Sequence, residues 1–359
     1  MIEGKALIER VVEAVRRAHS GLVHDEVLYE AVSTPVRKNE FLFFIKPEIT
    51  QPSPTVQLES VLALIVEKME AFEMAVHDVR ILSAEYLKRY RLMDLHYGVI
   101  ADVSHHGAEA CSASAAQRFE ARYGLPLSEA PVLGGMQFLE RYPHFNALSL
   151  DDMWQNKENH KLSGGTYVQE IRMGGERLFL LNGFHPRQLL HFTQPGRSIV
   201  IFRISSDISW ARARTSFAGV TIPSAAEPGS LRRELFERRC AFGLPLVSQS
   251  YNGIHLSAGP VEGLIELNRF DTDLSVENGH ERYADFSFGK ALIKEWGGIP
   301  APIVDNTKVE VDGKRVSVFD LTEGMEADEA LHCLQTYFGR GSCRLVKNDV
   351  PLCYKTSEL

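Results

Sequence analysis

An α+β fold follows from three features of this 359-residue sequence. Short apolar runs, such as Phe41–Ile45 and Ile199–Ile204, have the length and composition of buried strands. Longer segments between them carry apolar residues every three to four positions, the period of a helix. Glycine- and proline-containing turns separate most of these segments. With the middle of the chain set aside, the order is β-α-β-α-β-α-β-α, with a βαββαβ core portion. That order predicts a ferredoxin-like core, an antiparallel sheet with helices on one face, with α/β segments inserted and appended.

The elements follow in chain order. Residues 3–18 form an amphipathic helix with Leu7, Ile8, Val11, Val12 and Val15 on one face, so residues 1–40 read as a helical extension. Its alternation of charged and apolar residues suits a docking or dimer contact and not a signal peptide. "EFLFFIKPEI" (40–49) is a buried strand ending at Pro47. "SPTVQLESVLALIVEKMEAFEM" (53–74) is a helix that Ser53 or Thr55 can cap. "AVHDVRIL" (75–82) is the second strand, and "SAEYLKRYRLMDLHY" a short helix after it.

Residues 98–185 differ in character and read as an insertion into a domain spanning 41–270. They hold short helical pieces and a hairpin turning at Gly174-Gly175. "RSIVIFRI" (197–204) is the third core strand, and a helix (207–218) and long loop lead to the fourth, "NGIHLSA" (252–258). A helix over 260–270 follows. The tail, 271–359, adds a helix, a hairpin turning at Asp312-Gly313, a helix over 326–338 and a last strand in "SCRLV".

Composition excludes several functions. With 44% hydrophobic and 24% charged residues the chain is globular, and its net charge of −8 gives nucleic-acid binding no global support. The five cysteines contain no CxxC pair and read as free cytosolic thiols. "FLFFI" and "VLALIV" are too short to span a bilayer, so a cytoplasmic protein without a membrane partner is expected. His105-His106 with Asp102 reads as an exposed loop pair and not a metal site, and the three tryptophans as packing residues.

Four features suit phosphate chemistry. Lys46 ends the first strand, where an ammonium meets anions at a sheet rim. "GVTIPSAAEPGSLRRELF" (219–236) offers Thr221, Ser230, Arg232 and Arg233 from a Gly/Pro-rich loop. Asn252 lies three residues before His255, and Glu266 eleven after it, where a returning helix can bring it to the imidazole. A lone strand histidine is open to three readings: core residue, metal ligand or nucleophile. No GxxxxGK[ST] segment exists, which disfavours a P-loop enzyme.

These segments together resemble the nucleoside diphosphate kinase family. "FLFFIKPEIT" is similar to its first strand with a Lys-Pro-acid motif, here Lys46-Pro47-Glu48. "GVTIPSAAEPGSLR" is similar to its G-x-T-x-P…P-G-T/S-I/L-R loop, and "NGIHLSAGPVEGLIELNRF" to its N-x-x-H-x-S segment with a glutamate at fixed spacing. The resemblance covers about 41–97 and 186–270.

It implies that His255 takes the γ-phosphoryl group of ATP, or another nucleoside triphosphate, and passes it to a nucleoside diphosphate or related small phosphorylated acceptor. Glu266 would fix the imidazole tautomer, and Ser257 would support the site. Lys46, Tyr90, Thr221, Arg232 and Asn252 would hold phosphates and ribose, with Mg²⁺ carried on the nucleotide. The family's arginine before the G-x-T loop aligns with Thr215, so a one-residue shift is needed to supply Arg214. Tyr97 or Phe184 would stack on the base. The family's H-G-S-D becomes His255-Leu256-Ser257-Ala258, losing a small residue and an acid beside the nucleophile. The chain between Arg232 and Asn252 is longer than the family's. The insertion and tail point to a narrowed or redirected acceptor. A homo-oligomer is left open, and the alternative is a catalytically silent nucleotide-binding or scaffold module.

Overall fold

The computed structural model describes residues 4–32, 34–272, 274, 281–312, 314–339 and 345–346. The chain is mixed α+β, divided into one unit of Met1–Tyr90 with Pro195–Leu359 and a second of Arg91–Gln194. The sequence placed the second unit's edges at about 98 and 185, several residues inside each observed edge.

In the first unit, helix α1 (Gly4–Ala18) precedes strands β1 (Asp25–Glu30) and β2 (Asn39–Ile45). Helix α2 (Leu58–Ala71) then leads to β3 (Ala75–Ser83), and the chain re-enters the unit at β4 (Ser198–Ser206). Helix α3 (Leu231–Glu237), β5 (Ile254–Leu256) and helix α4 (Pro260–Asp271) follow. The strands form one sheet in the order β1-β3-β4-β2-β5, with every neighbouring pair antiparallel.

The central strand β2, "NEFLFFI", is buried at all seven positions. Strand side chains alternate between faces, so Phe41, Phe43 and Ile45 enter the core formed with α1, α2 and α3. Phe44 points the other way and meets Phe270 of α4, with ring centroids 5.8 Å apart. Helices therefore cover both faces at β2, where the sequence predicted one. A strand apolar at consecutive positions needs cover on both sides, and "FLFFI" carried that signal.

The N-terminal extension is not only helical. α1 buries Leu7, Val11, Val12 and Val15 as its pattern predicts, but β1 adds an edge strand beside β3. Only Leu28 of that strand is buried, so its alternation is too weak to read from sequence. α2 starts at Leu58, and neither Ser53 nor Thr55 caps it: their hydroxyls bond each other. The helix expected over 83–97 breaks after Arg89, and Arg91 adopts φ 52°.

In the C-terminal part, helices Ser287–Trp296 and Ala327–Tyr337 form where their periodicity predicts. The hairpin Lys308–Val311/Lys314–Ser317 turns at Asp312, while Gly313 and residues 342–344 lie outside the described residues. Cys111, Cys240 and Cys333 are free thiols; Cys343 and Cys353 fall outside the described residues.

The second unit has its own sheet, ordered 132–134, 176–181, 166–173, 160–163. Its hairpin pairs Met173 with Glu176 across Gly174 and Gly175, both at positive φ. Two apolar clusters flank it, one around Phe119 and Phe179, the other around Phe138, Trp154 and Leu180. No described helix of the chain is long and apolar enough to cross a membrane.

Candidate active site

The site begins with strand alternation. In β5, Ile254 and Leu256 point into the core shared with α2 and α3, which turns His255 to the opposite face. His255 pairs in register with Phe44 of β2, and the two rings stack at 4.6 Å and 18°. The apolar Leu256 beside the histidine is therefore a core residue facing away from the imidazole.

After the turn at Gly259-Pro260, α4 runs back over β2 and returns Glu266 to the histidine. The His255 Nε2 stands 2.9 Å from one Glu266 oxygen and 3.0 Å from the other. Glu266 is 2% exposed and His255 18%, so the carboxylate is sealed and the ring stays reachable. A carboxylate accepting from Nε2–H selects the tautomer whose lone pair sits on Nδ1. One helical turn earlier, burial and the Glu266 charge raise Glu262 above the usual carboxylate range.

The rim of the sheet supplies cations. Lys46 follows β2, and its Nζ donates to Asn252 Oδ1 at 2.7 Å. The two strand ends are stapled by Lys46 N to Gly253 O at 2.9 Å and by Gly253 N to Glu48 Oε1 at 2.7 Å. Gly253 adopts φ 83° and a Cβ there would lie 2.5 Å from Leu235 Cδ1, so the bend before the histidine requires glycine. Burial pushes the Lys46 ammonium down to about 8, with Arg232 adding to the shift and Glu48 opposing it.

Arg232 lies in α3 with one guanidinium nitrogen on Ile254 O at 3.2 Å and another on Gly219 O. Burial, with the Arg214 charge, brings it down to about 10. Its Nε is buried without a hydrogen-bond partner among the described residues. Asn252 Nδ2 ties this group to the loop, donating to Thr221 O at 3.3 Å and Gln249 O at 3.0 Å. The Thr221 side chain is exposed at the loop surface.

Residues 213–218 form a π-helix, not a continuous α-helix. The wider π turn holds about one more residue than an α turn. Arg214 then bonds Glu323 at 2.6 Å and lies close enough to depress Arg232. Thr215 instead turns its hydroxyl back to Ala211 O at 2.9 Å.

His255 and Glu266 thus form one pair, Lys46, Asn252 and the Thr221 carbonyl a second group at the strand ends, and Arg232 bonds the carbonyl of Ile254 beside the histidine. Ser257 has a different place. Its hydroxyl donates to Leu42 O at 3.2 Å and accepts from Leu42 N at 3.1 Å, so it fixes the strand that carries His255. Tyr90 stands apart, packed on Tyr86 at 4.6 Å with the Arg89 guanidinium over its ring. Tyr97 and Phe184 belong to the second unit, Tyr97 against Phe192 and Phe184 against Trp154 and Tyr167. Phe44 was missed in the sequence, and Glu48 was named only as part of the Lys-Pro-acid motif, because stacking and strand-end capping depend on register that composition does not reveal.

No protein-family model matches the chain, and no curated protein matches it.

Proposed function

We propose that the first unit is a nucleoside diphosphate kinase-like phosphotransferase working through a phosphohistidine at His255. The observation that carries this reading is the buried Glu266 carboxylate on His255 Nε2, next to the Lys46–Asn252–Arg232 group. The strand order β3-β4-β2-β5, with helices between the first and last pairs of strands in sequence, supports a ferredoxin-like βαββαβ core.

In the first half-reaction the Nδ1 lone pair attacks the γ-phosphorus of a nucleoside triphosphate. The bond from phosphorus to the β–γ bridging oxygen breaks, and its electron pair leaves with the nucleoside diphosphate. An acceptor phosphate oxygen then attacks the phosphohistidine and returns the electron pair to Nδ1. Glu266 holds the Nε2 proton throughout and steadies the positive charge that develops on the ring. Lys46 and Arg232 offset the charge on the transferring group. The groups gathered at the rim are cations and an amide, a set suited to phosphate oxygens and not to a bare Mg²⁺. Mg²⁺ is therefore expected on the nucleotide, where it neutralises phosphate charge.

A transfer screen tests the proposal: γ-labelled ATP and Mg²⁺ with nucleoside diphosphates, monophosphates and small phosphorylated metabolites. Label transfer with ping-pong kinetics to a diphosphate or related acceptor is expected. Nucleotide binding with no transfer to any acceptor would replace the enzyme with a silent binding module.

A further inference from the structure

The C-terminal segment brings a carboxylate to Arg214. Strand Lys314–Ser317 leads into helix Val318–Thr322, which Ser317 caps by accepting from Asp320 N at 3.1 Å. Thr322 is buried, and its hydroxyl donates to Val318 O at 2.8 Å. The turn that follows is pinned to the exit of the His255 strand, where Gly324 N donates to Ala258 O at 2.9 Å. A Cβ on Gly259 would lie 2.8 Å from Thr322 O, so the close approach of the two segments requires glycine there. Between these anchors the Glu323 carboxylate reaches the Arg214 guanidinium at 2.6 Å. The Arg214 side chain is 35% exposed and that of Glu323 45%, so dissolved anions have access to the pair.

We propose that Glu323 sets the affinity of the site for polyphosphate, as a counter-ion that competes with substrate phosphate for Arg214. The inference rests on the phosphotransfer reading of the site. Arg214 is near enough to Arg232 for its charge to act there, and Arg232 bonds the carbonyl of Ile254 beside His255. Glu323 also adds to the negative charge around α4. Glu262 is raised to about 8 by burial first and then by the charges of Glu266 and Glu323, with Arg214 opposing and Asp320 adding. A phosphate chain that binds beside Arg232 therefore meets Arg214 already paired, and must displace a carboxylate to gain the guanidinium. A partly exposed ion pair contributes little to stability, so the forked bonds that a guanidinium makes with phosphate can replace it. The backbone anchors on either side keep Glu323 in place to re-form the pair when phosphate leaves.

The test titrates the full chain with the non-hydrolysable β,γ-imido analogue of ATP and Mg²⁺ in a calorimeter, which reads binding apart from transfer. Glu323→Gln should bind about 3- to 5-fold tighter than the wild type, the strength of a partly exposed ion pair that no longer has to be broken. Arg214→Gln should bind more weakly, and in that background Glu323→Gln should gain less than about twofold, because no guanidinium remains to release. Circular dichroism checks each fold. Glu323→Asp, whose shorter arm loosens the pair, should fall between the wild type and Glu323→Gln. Unchanged or weaker binding by Glu323→Gln, an equal gain in both backgrounds, or no binding by any of the proteins would overturn the proposal. Labelling of the same proteins with γ-labelled ATP separates it from the phosphotransfer reading. Arg214-dependent tightening without label on His255 supports the counter-ion and refutes transfer, whereas label on His255 with unchanged affinity refutes the counter-ion alone.

Discussion

Glu266→Gln isolates the charge that is proposed to orient His255 for attack. The amide keeps the shape of the side chain and retains an oxygen for His255 Nε2, but it cannot balance the positive charge that builds on the ring. The hydrogen bond is charge-assisted, with the oxygens 2.9 and 3.0 Å from the nitrogen and the carboxylate 2% exposed. Such bonds contribute about 1.5–3 kcal/mol, against about 1 kcal/mol for neutral pairs. Exchanging one for the other loses about 0.5–2 kcal/mol, which slows phosphoenzyme formation by about 2- to 30-fold. Rapid-quench, single-turnover labelling with γ-labelled ATP measures this step apart from product release. Thermal unfolding of the variant checks that the fold persists. A folded variant labelled within twofold of the wild-type rate would refute the argument, because Glu266 would then pack without assisting transfer.

Lys46 introduces a pH dependence. Its ammonium discharges around pH 8, so kcat/KM for the nucleotide should fall as pH rises through that value, and Lys46→Met should remove the limb. The same residue affects stability with the opposite trend. Between about 8 and the usual 10.5 the unfolded chain holds more protons, so wild-type stability gains with pH there and the variant does not. Gly253→Ala combines a left-handed backbone with a Cβ 2.5 Å from Leu235 Cδ1 and should cost about 2–5 kcal/mol, read as a lower urea midpoint. Ser257→Ala leaves Leu42 N without its hydroxyl acceptor and should cost about 1–3 kcal/mol of stability. Unchanged stability with lost phosphoenzyme would place Ser257 in the chemistry instead of the strand.

The parts of the site legible in sequence are those carried by spacing. His255 and Glu266 are eleven residues apart because a short turn and just under two helical turns separate a strand residue from its partner on the returning helix. Lys46 and Asn252 were legible as strand-end residues, and the antiparallel pairing of β2 with β5 brings those two ends together. What was not legible depends on register or on irregular backbone. The stacking of Phe44 on His255 needs the β2–β5 register, and the π-helix that carries Arg214 has no distinctive composition. β1 was missed because a strand with a single buried residue has almost no hydrophobic pattern. His105 drew notice for its neighbour His106, yet its Nε2 stands 3.6 Å from Asp94 Oδ2, and its ring lies edge-on to that of His185, eighty residues on, with centroids 6.0 Å apart.

The central claim is that His255 carries the phosphoryl group. Incubation of the wild-type protein with γ-labelled ATP and Mg²⁺, followed by peptide mapping at alkaline pH, tests it most directly. The account predicts an acid-labile, alkali-stable label on the peptide containing His255, discharged by the acceptor and absent from His255→Ala. Label on any other residue, or equal labelling of wild type and variant, would contradict it.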